Sequence, residues 1–337
     1  MPGREANCLT VEEAMSLMRG VARHLGESPE DAEIIARHLV DDELRGVVGM
    51  SRIFIVADEF ERAGPRQTTP IRVSRETETF ALLDGGDHLG LVVAERATEI
   101  AIEKAKAKGV AVVGANNHRY SGTLAYYAEL AARRDVVAWA IASGSFGSVA
   151  PYGGREPRLD TNPMAIGVPT AADPVVWDIA TSAMSGSEIY RRMATGEAIP
   201  EGVAVDREGR PTTDPREALA GALLPWGGHR GSGMAEVIRL LALLCGVRPF
   251  AERGDDFAFL MVAIDPAMFL PLADFKERAE KFAEGIRATA PAEGFEAVRM
   301  PFDRSLAERA RRRLEGIPLS PPVRARLEAI RGRPDAT

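Results

Sequence analysis

The sequence predicts an α/β fold, and three observations carry that reading. Short runs rich in Val, Ile and Ala, at Val110–Val113, Val136–Ala142, Met164–Val168 and Val175–Ile179, have the length and apolarity of buried strands. Helical patterns at Val92–Lys108 and Thr123–Arg134 alternate with the first of them, as in layered α/β proteins. No G-x-G-x-x-G follows the first strand and no Walker-type lysine is present, so nothing supports the common dinucleotide-binding fold.

In chain order, Thr10-Val-Glu-Glu13 reads as a capping box, with Ala14, Leu17, Met18 and Val21 following at helical spacing. Ser28-Pro-Glu-Asp31 opens a second helix with Pro29 at its first position, running through Ile34, Ile35, His38 and Leu39 toward Arg45. A third helix covers Ile53–Arg62. Arg72–Leu83 alternates weakly and reads as one strand, and Asp84-Gly-Gly-Asp-His88 turns the chain into the Val92–Lys108 helix. Gly202–Pro215 is a polar loop. His229-Arg-Gly-Ser-Gly233 precedes a helix, Met234–Leu244, whose apolar residues occupy almost every face and predict full burial. Phe257–Ile264 reads as the final strand, followed by helices from Pro271 to about Ala288, at Ser305–Leu314, and from Ser320-Pro-Pro322. Arg309, Arg311, Arg312 and Arg313 read as a solvated helix face.

The bulk numbers narrow the function classes. At 337 residues, 45% hydrophobic and 27% charged, the chain has the composition of a soluble globular protein. A net charge of −7 without a basic block argues against a nucleic-acid partner. No apolar run approaches the roughly 20 residues of a membrane span, and the amino terminus lacks a charged-then-apolar leader pattern. Cys8 and Cys245 are the only cysteines, and no structural disulfide between them is suggested, which implies a reducing, cytoplasmic setting.

The densest local constraint lies at Asn116–Pro169, where His118, Gly122, Pro151, Gly153, Gly154, Thr161, Asn162 and Pro163 punctuate the strands. Any one of these turns can be ordinary turn chemistry. Asp178 interrupts an apolar strand, so its carboxylate is either hydrogen-bonded locally or placed for a ligand. The glycines after His229, with Arg230 beside the positive end of a helix, fit an anion site.

Seven segments stand together: Asn116-Asn-His118, Tyr126-Tyr-Ala128, Val149-Ala-Pro-Tyr-Gly-Gly154, Leu159-Asp-Thr-Asn-Pro163, Val176-Trp-Asp-Ile-Ala-Thr-Ser182, Pro211-Thr-Thr-Asp-Pro215 and Leu224-Pro-Trp-Gly-Gly-His-Arg-Gly-Ser-Gly233. In order and spacing they resemble the malate/L-lactate/sulfolactate dehydrogenase family, which also holds ureidoglycolate dehydrogenases, diketogulonate reductases and cyclic-ketimine reductases. The resemblance runs from about Thr10 to Ile330. It implies a non-Rossmann NAD(P)-binding fold with a mixed sheet, in which residues 1–75 and 270–337 form a helical domain beside a central α/β domain at 76–269. It also implies a homodimer, NAD(H) or NADP(H) as cofactor, and a small carboxylate-bearing substrate. The cofactor is expected along Val176, Trp177, Asp178, Ile179, Ala180 and Thr181, over His229, Arg230 and Gly231, and against Phe302, Asp303 and Arg304. Arg52, Arg45, Thr161 and Asn162 are the substrate-binding candidates. His118, Arg52, Asp178 and Tyr120 are the catalytic ones.

Where the family carries Arg-Gly-x-x-Ser-His-Gly-x-x-Arg, this sequence reads Arg45-Gly-Val-Val-Gly-Met-Ser-Arg52, as though the Ser-His pair had been removed. Ser143-Gly144 stands for a usual Thr-Asn, Asp160 for a usual Gly, and Phe302-Asp303 for a usual Gly-Glu. Two readings stay open on these residues. One is an NAD(P)-dependent oxidoreductase acting on a 2-keto or 2-hydroxy acid or a cyclic imine, with His118 replacing the missing acid/base. The other is a non-redox descendant that binds nucleotide or ligand without net turnover.

Overall fold

The structure is a computed structural model, and it describes residues 8–144, 147–250 and 256–332. Its strands are β1 (Cys8–Leu9), β2 (Arg72–Glu76), β3 (Phe80–Asp84), β4 (Val110–Asn116), β5 (Val137–Ser143), β6 (Met164–Val168), β7 (Val175–Ile179), β8 (Ala204–Val205), β9 (Ala222–Leu223), β10 (Ala258–Ile264) and β11 (Ile317–Pro318). Its α-helices are α1 (Val11–His24), α2 (Pro29–Leu44), α3 (Ile53–Ala63), α4 (Gly90–Lys108), α5 (Leu124–Arg133), α6 (Gly186–Thr195), α7 (Pro215–Ala220), α8 (His229–Ala242), α9 (Leu272–Arg287), α10 (Asp303–Glu315) and α11 (Pro321–Arg331). Two compact units divide the chain. The first comprises the described residues of Met1–Thr68, Thr170–Val175 and Lys276–Thr337, the second Thr69–Pro169 and Val176–Phe275.

The first unit is helical because its apolar residues recur at helical spacing behind strong caps. The Thr10 hydroxyl accepts from Glu13 N while the Glu13 carboxylate accepts from Thr10 N, which closes the capping box on α1. Ser28 caps α2 ahead of Pro29. α1 packs on α2 and α11, α10 packs on α2, and β1 pairs antiparallel with β11, so the two ends of the chain share one core.

The second unit is built on a seven-stranded sheet of order β2-β3-β4-β10-β5-β6-β7. β3 and β4 run parallel, and β10 pairs antiparallel with both β4 and β5. Strand alternation sorts the core. Ala115, Ala142 and Phe259 lie on the side where Tyr127 of α5 meets Phe259 edge-on at 5.2 Å. Ile141, Leu260 and Met164 face the other side, toward Ile238 and Ala242 of α8 and the buried Cys245. No helix among the described residues is long and apolar enough to cross a membrane.

Several expectations need correction. Arg72–Leu83 is a hairpin, β2 and β3, closed by Thr77 N donating to Phe80 O at 2.9 Å, and its turn carries no Gly, Pro or Asn to announce it. α6 is a helix with no counterpart in the sequence reading, and Gly202–Pro215 contains β8. Two-residue β11 follows the strand read as final. α8 begins at His229 rather than Met234, because Gly227 and Gly228, at φ 60° and 63°, turn the chain directly into its first residue. Nor is α8 buried all round: Ala235, Ile238 and Ala242 face the core while Val237 and Leu240 are 51% and 64% exposed. Arg309 leaves the solvated face of α10 to pair with Asp41 at 3.2 Å, and only its neighbours Arg311 and Arg313 stay on that face.

Candidate active site

The strand register brings most of the central candidates to one rim of the sheet. β3 and β4 end there, at the carboxyl edge where ligands of parallel strands collect. β10 starts beside that edge, β5 ends at Ser143, and Thr161-Asn162 leads into β6. The Asn162 amide accepts from Ser143 Oγ at 3.1 Å and donates to Ala235 O of α8 at 2.9 Å. At φ 31° Asn162 tolerates the left-handed backbone that asparagine adopts more readily than most residues. Thr161 O accepts from both the amide and the hydroxyl of Thr181 at 2.8 Å, so the end of β7 is fastened to the same rim.

His118 follows β4 by two residues and is 1% exposed. A Cβ on Gly85 would lie 2.9 Å from His118 Cβ, and one on Gly90 would lie 2.8 Å from His118 Nδ1, so two glycines form the seat of this ring. Phe257 flanks it with centroids 6.4 Å apart. His118 Nδ1 lies 2.6 Å from Arg119 O, an acceptor that selects the tautomer with its proton on Nδ1. Nε2 is buried and makes no hydrogen bond of ordinary geometry, and the Ala115 backbone also lies against the ring. Burial pushes the imidazole down to about 4, against the smaller upward pull of the Arg119 and Ala115 backbones, so the ring is neutral at pH 7. Tyr120, two residues on, is half-buried.

Asp178 lies on β7 at the sheet edge, exposed beside Trp177, and accepts from Ala125 N in the first turn of α5 at 2.8 Å. A carboxylate there complements the helix N-terminus. At the start of α8, which no side chain caps, Gly231 is pressed so close to Trp226 O that a Cβ would lie 2.2 Å from it. His229 and Arg230 are exposed in that first turn.

The helical unit holds a second group of candidates around α2. Arg45 is 2% exposed, donates to Asp41 at 2.7 Å, pairs with Asp42, and lies over the Phe302 ring at 5.7 Å. Arg309 approaches the same ring at 5.6 Å. Phe302 holds φ 81° at the start of α10, and Asp303 accepts from Arg287 and from Met300 N at 2.9 Å. Arg304 reaches toward Gly46, where a Cβ would meet its Nη1 at 3.4 Å. Arg52, whose side chain is 18% exposed, stands 4.0 Å from Asp42. Each unit thus assembles its own candidates.

The family profile described as Malate/L-lactate dehydrogenase matches residues 9–328. The chain belongs to that family. It is 34% identical to L-sulfolactate dehydrogenase of Methanothermobacter thermautotrophicus over 96% of each chain. It is 33% identical to Δ1-pyrroline-2-carboxylate reductase of Ancylobacter novellus over 92% of this chain and 93% of that one. The solved sulfolactate dehydrogenase of Methanocaldococcus jannaschii superposes with a TM-score of 0.84 at 32% identity, covering 96% of each chain. Membership of this family of dehydrogenases makes the chain an oxidoreductase, and a nicotinamide cofactor follows in general terms.

The malate/L-lactate dehydrogenase family member described here has residues that suit such a cofactor. Ser182 Oγ and Trp226 Nε1 are buried without a hydrogen-bond partner among the described residues, next to the uncapped start of α8. Orphaned donors at a helix N-terminus, with Arg230 beside them, match a phosphorylated ligand. Sequence reasoning passed over Asp42, Phe257, Ser182 and Trp226. Asp42 had a signal, since it stands four residues after His38 and three before Arg45 on one helix face. Phe257 had none, because its contact with His118 depends on how β10 pairs with β4.

Proposed function

We propose that this protein transfers hydride between NAD(H) or NADP(H) and a small carboxylate-bearing substrate, with cyclic imino acids as its reductive substrates. Arg52 binds the substrate carboxylate, a task suited to its planar donor fork. The stretch Val176–Thr181 and the first turn of α8 hold the nucleotide, which supplies the hydride. The observation that carries the reading is the neutral imidazole of His118, with its Nε2 lone pair facing away from Arg119 O. In that state it accepts a proton from a 2-hydroxy acid as the alcohol is oxidised, and reduction of a ketone requires that proton to be on the same nitrogen first. A protonated iminium needs none: hydride adds at carbon and the C=N electron pair settles on nitrogen. The names of the relatives support both substrate classes. Two free cysteines support a reducing, cytoplasmic setting. A homodimer completes the reading, and light scattering of the purified protein tests it.

The functional test is consumption of NADH and NADPH against a panel of 2-keto acids and cyclic imino acids, with 2-hydroxy acids in the reverse direction. His118→Ala is expected to abolish oxidation of hydroxy acids while sparing reduction of Δ1-pyrroline-2-carboxylate. Equal losses in both directions would overturn the role of His118. Nucleotide binding without turnover on any substrate would replace the oxidoreductase role with a binding one.

A further inference from the structure

We infer that Asp42 and Glu43 are positioning residues that hold the Arg52 guanidinium in place for a substrate carboxylate, an inference that rests on the role proposed above for Arg52. Three observations converge on the turn from Arg45 to Arg52.

The first is how tightly the turn folds back on α2. A Cβ on Gly49 would lie 2.2 Å from Leu39 O and 2.6 Å from Asp42 Cβ, so only glycine lets the backbone pass there. The second is the carboxylate that fixes this approach. Glu43 Oε1 accepts from both Gly49 N and Met50 N at 3.1 Å, and Arg52 N donates to Gly49 O at 2.9 Å, so the placement of Arg52 is transmitted through backbone that Glu43 anchors. Third, Asp42 stands behind the guanidinium. It is fully buried; Oδ1 is taken by Arg45 Nη2, and Oδ2 lies 4.0 Å from Arg52 Nη1 and 3.8 Å from His38 Nε2.

The charges sort the roles. Burial first, then Arg45, keeps His38 well below its usual pKa, so at neutral pH it adds no positive charge to compete for Asp42. Arg45 is enclosed and bound to both Asp41 and Asp42, which leaves Arg52 as the member of the pair whose side chain reaches the surface. At 4.0 Å the Asp42–Arg52 contact is an ion pair rather than a hydrogen bond, and in a desolvated setting such a pair orients strongly. A carboxylate beside it and an anchored turn beneath it restrict where the guanidinium can go. Such orientation lowers the entropic cost of capturing an acid.

The experiment measures steady-state kinetics with Δ1-pyrroline-2-carboxylate and, separately, the Kd for NADH by fluorescence. Asp42→Asn is expected to raise KM for the acid by about 10-fold or more, with kcat within about 3-fold and an unchanged Kd for NADH. Asp42→Glu restores most of the loss, and Glu43→Ala raises KM by about 3-fold through the loosened turn. Asp42→Asn leaves Arg45 short of a buried partner; if that variant fails to fold, Glu43→Ala decides. An unchanged KM in the folded Asp42→Asn protein, or in Glu43→Ala where it stands in, overturns the inference, provided Arg52→Ala raises KM. An unchanged KM in Arg52→Ala itself strikes the role of Arg52 instead, which separates the two failures.

Discussion

The cluster around α2 and the seat of His118 are both buried collections of titratable groups, and they handle charge in opposite ways. Around Arg45 the charges are kept and paired: Asp41, Asp42, Arg45 and Arg309 interlock within a few ångströms. Around His118 the charge is removed: glycines, a phenyl ring and a carbonyl enclose the imidazole, and desolvation leaves it neutral. The contrast is one of solvation: paired charges hold one another in place, while the enclosed imidazole stays neutral because charging it away from water is costly.

The largest expected effect breaks the ionic side. Arg52→Ala should lower kcat/KM for carboxylate substrates on the order of 100-fold or more, with Arg52→Lys recovering little because an ammonium lacks the bidentate fork. Next comes the dry side, tested through pH. The unfolded chain takes up a proton at position 118 near the usual 6.5, whereas the folded chain refuses it until about 4. The stability contributed is therefore complete above the unfolded value and declines as pH falls toward 4, by about 3 kcal/mol. His38, depressed in the same direction, adds to that trend. His118→Leu should shrink the difference between urea midpoints at pH about 7.5 and about 5, and an undiminished difference would assign the whole trend to His38 and other groups.

A smaller effect sharpens the packing of the rim. A Cβ on Gly144 would lie 2.3 Å from Asp160 Oδ2 and 3.1 Å from the Phe257 ring, so Gly144→Ala should cost about 1–3 kcal/mol. Adding Asp160→Gly should recover most of it, and a double-mutant cycle measured by denaturant unfolding reads the coupling. The smallest effect is the control. Arg311 pairs with Glu308 and Glu315 on an exposed face, and Arg311→Ala should leave the urea midpoint unchanged within error.

Local signals in the sequence located most elements. The capping box at Thr10, proline at the start of α2 and the Val-rich strands each act through neighbours within a few residues, so they read directly. The Thr77–Thr79 turn and the start of α8 did not, since the first uses residues of no turn preference and the second depends on positive φ at Gly227 and Gly228. Apolar composition misjudged α8 because burial depends on what packs against each face, and Val237 and Leu240 meet no core. The site was legible residue by residue and illegible in its supports. His118, Asn162 and Asp178 could be singled out, but Gly85 and Phe257 serve His118 through contacts between elements distant in sequence. Gly144 and Asp160, separate along the chain, meet in the fold, since the carboxylate of Asp160 fills the space a side chain at 144 would need.

The glycine seat has a consequence for how the imidazole can move. With Gly85 and Gly90 closing on His118 and Arg119 O holding Nδ1, a swing of the ring would have to lift the first turn of α4 away from it. Rotational freedom at this position is surrendered once, during folding, and no turnover has to surrender it again. A bulkier residue at either glycine would not merely crowd the histidine but unfasten it, leaving a ring that has to find its orientation anew.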